Sequence, residues 1–516
     1  HDAISAVGFP RELVERKLRR LKPHSAPGPD NMYPAILNRC ASEISLPLSL
    51  IFTSSMAEGY LPREWKRTNI TPIHKSGSKS NPENFRPINL CSVPCKIMEQ
   101  IIKDDLIEHL SRNSLILASQ HGFLPGRSCV TNLLAYLNKV TAALDDGDPY
   151  DAVMVDFRRA FDVVPFKHLL RKLKAHGIVG PLLRWFEDWT TGRQQRVVIN
   201  GRNSDWADVI SSVVQGSVIG PVLFLIFIND IDLVVDKGGT KVFKYADDSK
   251  FGRRMCTSDD PVKLQADLDA VARWAEKNGM TLHPQKTVVV HFGHNNPLHD
   301  YTVLDSKVSS LDCVKDLGVF INTKASPSDN VLAVAKKANS VLAQLKRSTV
   351  CRSAQMVTSL YKAYVRPLME SAVQCWNPWL RQDIDHLEKV QRRATKLVSG
   401  CRTMTYADRL RVCSLTTLEE RRTRGDMVEC FKMLNGFTNI ERESLFHFSC
   451  ERHQLNTRGA AQELLVPERT TLEVRKRFFA NRVVGTWNSL PHEVRSAPSV
   501  NSFKNRYDLH HNSTMS

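Results

Sequence analysis

The spacing of hydrophobic residues changes character several times along the chain. Near the start, "RELVERKLRRLK" repeats apolar residues at helical spacing among basic ones, and "NMYPAILNRC" predicts a second helix. Between them "HSAPGPD", residues 24–30, is a Pro/Gly-rich loop. "LPREWKRTNITPIHKSGSKSNPENFRPINL" predicts two short strands around a Gly/Ser/Asn connector. In "CKIMEQIIKDDLIEHL", Ile97, Ile101, Leu106 and Leu110 form a helical stripe.

From about residue 150 to 292 short apolar runs take over: "DAVMVDF", "QQRVVIN", "KVFKYADD" and "KTVVVHF". They alternate with the helical stretches "VPFKHLLRKLKAHG" and "PVKLQADLDAVARWAEKNG", which predicts an α+β domain whose strands return to one sheet through helical excursions. After about residue 325 strand signals largely vanish. "DNVLAVAKKANSVLAQLKR", "AQMVTSLYKAYVRPLMESAV" and "DIDHLEKVQRRATKLVSG" predict a basic helical region. No internal repeat is visible.

Chemistry concentrates where strands end. In "KVFKYADDSKF" the run before Asp247 and Asp248 reads as a strand and "SKF" as its return, which puts the acidic pair at a hairpin tip. Successive strand side chains face opposite ways, so both carboxylates serve one site only if the chain turns there. Adjacent carboxylates repel unless a cation sits between them, and oxygen donors suit Mg²⁺. Upstream, Asp156 closes the apolar strand of "DAVMVDFRRAFD", with Asp162 six residues on. If that strand runs beside the hairpin, three carboxylates converge as two-metal phosphoryl transfer requires. On spacing alone a solvated acidic turn is the commoner reading of two adjacent aspartates. In "SSVVQGSVIGPVLFLIFIND", Gln215, Gly216 and Ser217 form a turn before a buried helix, with glycine permitting close backbone approach.

Composition narrows the partners. The 516 residues exceed one ordinary core and predict roughly three folded units. A net charge of +17 favours polyanions. The most apolar run is broken by Asn229 and Asp230, so no membrane span is expected, and no signal peptide is visible. Twelve cysteines without CxxC pairs read as reduced thiols of an intracellular protein; Cys450 and His453 lack a second zinc-spaced pair. The chain begins at His1, as a piece of a longer reading frame would.

These blocks together resemble a known family. "SAPGPD", "PREWKRTNITPIHKSGS…NFRPINL", "QHGFLPGRS", "VDFRRAFD", "QGSVIGP…LF…IND", "YADD", "W…NGMTLHPQK" and "DLGVFIN" occur in the order found in reverse transcriptases of non-LTR retrotransposons of the jockey and CR1 type. The resemblance spans nearly the whole chain. It implies a right-hand polymerase that copies RNA into DNA. Residues 1–60 would form an N-terminal extension and template-contacting segment, 61–295 fingers and palm, 296–400 primer grip and helical thumb, and 401–516 a basic, mostly helical C-terminal region.

The same resemblance assigns roles. Asp156, Asp247 and Asp248 match the catalytic ligands of two Mg²⁺ ions, with Mn²⁺ as a substitute. Lys286 would protonate the leaving pyrophosphate. Lys75 and Arg86 would clamp the triphosphate, Phe161 would exclude a 2′-hydroxyl, and Gln215 and Gly216 would line the nucleotide pocket. Arg127 would hold the template, and Leu317 and Gly318 the primer. Val214, His283 and Thr287 depart from the family's usual Pro, Asn and Cys. The implied partners are template RNA, a DNA primer at the target and dNTPs, in a ribonucleoprotein of nucleus and cytoplasm. An endonuclease would be encoded upstream, and the basic tail would grip nucleic acid. An RNA-copying RNA polymerase and a binder without catalysis are the competing readings.

Overall fold

The apolar runs in "DAVMV" and "VVVHF" build the centre of the molecule. The computed structural model describes residues 2–236, 238–449 and 464–515, so Cys450 and His453 lie outside the described residues. Nine strands frame the candidate site: β1 Arg67–His74, β2 Phe85–Cys91, β3 Tyr150–Val155, β4 Gln194–Ile199, β5 Arg202–Asn203, β6 Ala207–Asp208, β7 Lys241–Tyr245, β8 Asp248–Arg254 and β9 Val288–Phe292. A central sheet runs Ser309–Ser310, β9, β3, β8, β7, with β3 antiparallel to both neighbours.

Because β3 is covered on both faces, its sequence is apolar apart from the buried Asp151, whose carboxylate pairs with His291 and Tyr301. The faces still separate cleanly. Val153 and Val155 join Phe251, Val289, Phe224, Phe227, Leu268 and Val271 in one core. Tyr150 and Ala152 join Phe243, Val290 and Phe292 in another, beneath Leu133, Tyr136 and Leu137 of the helix Cys129–Asp145. That helix starts at a capping box made by Ser128 and Thr131.

A second sheet holds β2 antiparallel to β1, from Thr68↔Cys91 to His74↔Phe85, with β4 parallel to β1. "QQRVVIN" therefore does not return to the central sheet as its apolar run had predicted. It pairs with β1 instead, with β5 and β6 folded onto it. Strand character is local, whereas the choice of partner is set by non-local register. The architecture is α+β.

The residues after 325 are mainly helical, including Ser328–Ser348, Arg381–Thr395, Leu418–Leu434 and Phe479–Ser489. They share one hydrophobic core with the Cys129 helix and a face of the central sheet, through Phe431, Phe446, Phe479, Trp487 and Phe503. Polar contacts fix the junction. Arg475 donates to Asn138 Oδ1 at 2.7 Å, Asn138 Nδ2 to the Ser444 carbonyl at 2.8 Å, and the Thr471 and Leu472 amides to Asp145.

Among the described residues no helix is long and apolar enough to cross a membrane. The described cysteines are free thiols; Cys91, Cys95, Cys401, Cys413 and Cys430 are buried, while Cys256 and Cys351 are exposed.

Candidate active site

The acidic hairpin turns in two residues. Tyr245 pairs with Asp248, leaving Ala246 and Asp247 as the loop. Ala246 sits in the left-handed region at φ 58°, a costly conformation for a residue with a side chain. Buried groups hold it there. Gln120 receives the Ala246 amide at 2.9 Å and donates to the Ala246 carbonyl at 3.3 Å. A Cβ on Gly122 would stand 2.4 Å from the Ala246 nitrogen, so only glycine lets this segment pass so close. The Lys244 carbonyl accepts from the His121 amide and from Asn132 Nδ2, and the Lys244 amide donates to Ser119. "QHGFLPGRS" is thus the brace under the turn.

Asp156 follows the last residue of β3, where Val155 pairs with Ser249, so the register brings Asp156 level with Asp248. Burial pushes the Asp247 carboxyl up, Asp156 adds to the rise, and Arg86 and Lys75 oppose it. Asp248 opens on solvent, yet the surrounding protein and then Asp247 and Asp316 push it up to about 6. Asp156 is drawn toward Lys286, whose Nζ stands 3.7 Å from its carboxylate. Among the described residues no three acidic, His or Cys side chains are gathered tightly enough to hold an ion as they stand. The donors nevertheless fit a hard divalent cation: three carboxylates at one strand end, two of them burdened by mutual repulsion that a cation would relieve.

Facing these carboxylates are the basic groups of the second sheet. Lys75 and Arg86 are exposed on either side of the 75–84 connector, Arg86 pairing with Ile73 across the ladder. Phe161 stacks on Phe224 at 4.3 Å and its carbonyl accepts the Val213 amide, which fixes its ring. Gln215 donates to Asp162 at 3.3 Å, and its carbonyl accepts both donors of Asn89. Gly216 has φ 111°, and a Cβ there would meet the Asn89 carbonyl oxygen at 2.4 Å. Buried Glu99 caps the following turn through the Val218 amide at 2.7 Å.

The remaining candidates are spread more widely. Arg127 donates to the carbonyls of Leu117, Ala118, Gln120 and Asn439, so its guanidinium bridges the brace and the C-terminal region. Leu317 and Gly318, at φ 45° and 91°, form the tip of a hairpin between the strands Cys313–Asp316 and Val319–Asn322. The His283 amide donates to the Asp156 carbonyl, a contact that any non-proline residue makes, and Thr287 Oγ1 donates back to the His283 carbonyl at 3.2 Å.

Several residues that shape the site carried little sequence signal of their own. Gln120, Glu99, Lys244 and Lys250 are buried, and each was one polar residue among many. The only available cue was a charged residue placed at an inward strand position, as at Lys244 and Lys250.

Residues 73–327 match the family described as reverse transcriptase (RNA-dependent DNA polymerase). The chain is similar to a probable RNA-directed DNA polymerase from transposon BS of Drosophila melanogaster, 26% identical over 80% of this chain and 47% of that one. It is also similar to the RNA-directed DNA polymerase from mobile element jockey of Drosophila funebris, 25% identical over 77% of this chain and 44% of the other. A Pol polyprotein from the type-1 retrotransposable element R2 of Popillia japonica is 24% identical over 54% of this chain and 39% of its own length. The chain thus spans less than half the length of these relatives. With its ordered blocks meeting around one acidic strand end, the segment 73–327 belongs to the reverse transcriptase family, and the chain around it is similar to the RNA-directed DNA polymerases of such mobile elements.

Proposed function

We propose that this protein is an RNA-directed DNA polymerase that extends a DNA 3′-hydroxyl on an RNA template, within a longer retrotransposon product. The observation that carries the reading is the convergence of Asp156, Asp247 and Asp248 at one strand end, opposite the cations of Lys75 and Arg86. In this reading the central sheet is the palm, the β1–β2 pair with its connector belongs to the fingers, and the helices after 325 supply the thumb.

Asp156, Asp247 and Asp248 would hold two Mg²⁺ or Mn²⁺ ions, whose chemistry when bound is to acidify the attacking hydroxyl and neutralise charge on the leaving pyrophosphate. Lys75 and Arg86 bind the triphosphate, Arg86 with bidentate geometry. Phe161, immobilised on Phe224, closes the space a 2′-hydroxyl would need. Gln215 and Gly216 form the floor under the new base pair, and the Leu317–Gly318 turn supports the primer. Lys286, beside Asp156, is placed to give a proton to the pyrophosphate as it leaves. Arg127 acts on the template through the loop it braces. The template would be the element's own transcript and the primer nicked target DNA, with an endonuclease supplied by another part of the product. The assembly would work as a ribonucleoprotein in cytoplasm and nucleus.

The test is primer extension on an RNA template with Mg²⁺, dNTPs or NTPs, beside Asp247→Ala. Deoxynucleotide addition by wild type and none by the variant is the expected result. Equal use of NTPs, or an unaffected variant, overturns the reading.

A further inference from the structure

One buried cation joins the acidic hairpin to the Leu317–Gly318 hairpin. Lys250 is two residues beyond Asp248, so their side chains share a face of β8. Its ammonium is 2.6 Å from Asn132 Oδ1 and 2.5 Å from Asp316 Oδ2, and lies 4.9 Å over the Tyr136 ring. The Lys250 and Asp316 side chains are only 3% and 6% exposed. Asn132 extends the link by donating to the Lys244 carbonyl at 3.0 Å, on the opposite strand of the acidic hairpin. Asp316 is the last residue before the Leu317–Gly318 turn and pairs with Val319 across it. A single ammonium therefore ties both strands of the acidic hairpin and the Cys129 helix to the base of the other turn.

Stability is a poor explanation for such a pair. Desolvating both charges costs about as much as their attraction returns, and apolar replacements of similar volume are often neutral or better. What a charged, hydrogen-bonded link supplies, and an apolar one does not, is a unique register. Register matters here because a displacement of about 1 Å between reacting groups costs roughly a hundredfold in rate.

We propose that Lys250, with Asp316 and Asn132, forms a positioning element that fixes the Leu317–Gly318 turn relative to Asp248 and so sets where the primer 3′ end stands. The inference rests on the polymerase reading and deepens it. Lys250 touches no reacting atom; it acts through the two hairpins it joins.

The experiment uses the full chain with the double variant Lys250→Met/Asp316→Leu, which removes both charges and leaves none unpaired. Melting should stay within a few degrees of wild type, because no charge is left unpaired and only the Asn132 Oδ1 acceptor loses its donor. The rate constant for nucleotide addition should fall about tenfold to a hundredfold, while KM for dNTP changes little. A second readout needs no catalysis: a primer ending in a photoreactive nucleotide, annealed to RNA, should cross-link to residues 313–322 of wild type and much less to the variant. Asp247→Asn separates the two claims, since it should abolish addition and keep the cross-link. A folded double variant that extends and cross-links like wild type overturns the positioning role alone. A wild type that neither extends nor cross-links overturns the polymerase reading and this inference together.

Discussion

The two halves of the candidate site are built in opposite ways. The Ala246–Asp247 loop is held by buried groups: Gln120 on both backbone atoms of Ala246, Gly122 in contact, and Asn132 and His121 on the Lys244 carbonyl. The connector 75–84 is exposed throughout, except for the half-buried Asn84, and its bonds are mostly internal, such as Asn84 Nδ2 to the Ser78 carbonyl at 2.8 Å. An exposed ion pair of Glu83 with Arg159, at 3.2 Å, links it to the acidic side. Preorganised carboxylates are what charge stabilisation in a transition state needs, because nothing must reorganise during the reaction. A basic arm that grips and releases a different triphosphate at each step needs the reverse, a segment that opens cheaply.

The largest loss is expected at the acidic turn. Asp247→Asn should lower nucleotide addition by roughly a thousandfold or more, read by single-turnover extension. Asp248→Asn should do the same and also raise the melting temperature of the metal-free protein. The sign comes from the carboxyl being pushed up to about 6, above its unfolded value near 3.8, so that its charged form opposes folding above pH 6. That gain should shrink as pH falls through 6, and added Mg²⁺ should stabilise wild type more than the variant.

Gly122→Ala attacks the brace. Its Cβ would press the Ala246 nitrogen at 2.4 Å, so the turn must move, and a loss of about a hundredfold in rate is expected with melting reduced by several degrees. The brace should also be acid-sensitive, since burial and then Arg127 and Lys250 push His121 down to about 3. Its unfolded value is near 6.5, so stability is intact above that pH and declines below it, by up to about 1.4 kcal/mol per pH unit until pH 3. Denaturation midpoints between pH 7 and 4 measure the slope, with His121→Gln as the flatter comparison.

Arg86→Ala and Lys75→Ala should act on the other half alone. Each should raise KM for dNTP about tenfold, with melting unchanged and the effect reduced at high salt. The smallest effect belongs to Glu83→Ala, which removes an exposed pair and should change stability by less than about 0.5 kcal/mol.

The same contrast explains what the sequence could disclose. Asp156, Asp247 and Asp248 were legible because each ends an apolar run, and strand period plus a terminal carboxylate is a local signal. The Gly, Ser and Asn of the connector made its loop legible, but Lys75 and Arg86 were singled out only by the family resemblance. The brace was not. "QHGFLPGRS" marked an ordered block, but nothing local indicates that Gln120 reaches Ala246, 126 residues later. The partnership of β4 with β1 was hidden for the same reason, and so were the buried positions of Lys244 and Lys250. The helices after 325 were visible from their period, yet their fusion with the Cys129 helix in one core depends on pairs such as Arg475 with Asn138, 337 residues apart.

That fusion sets an order of events during synthesis. The Cys129 helix and one face of the central sheet share a core with Phe479, Trp487 and Phe503, so a nascent chain that already carries Asp156, Asp247 and Asp248 still lacks part of that core. Contacts of such long separation close late and leave apolar surface open meanwhile. More than three hundred further residues must follow Asp145 before the segment beginning at Thr471 can dock against it, and a chain stopped short of Phe479 would carry Asp156, Asp247 and Asp248 over an unfinished core.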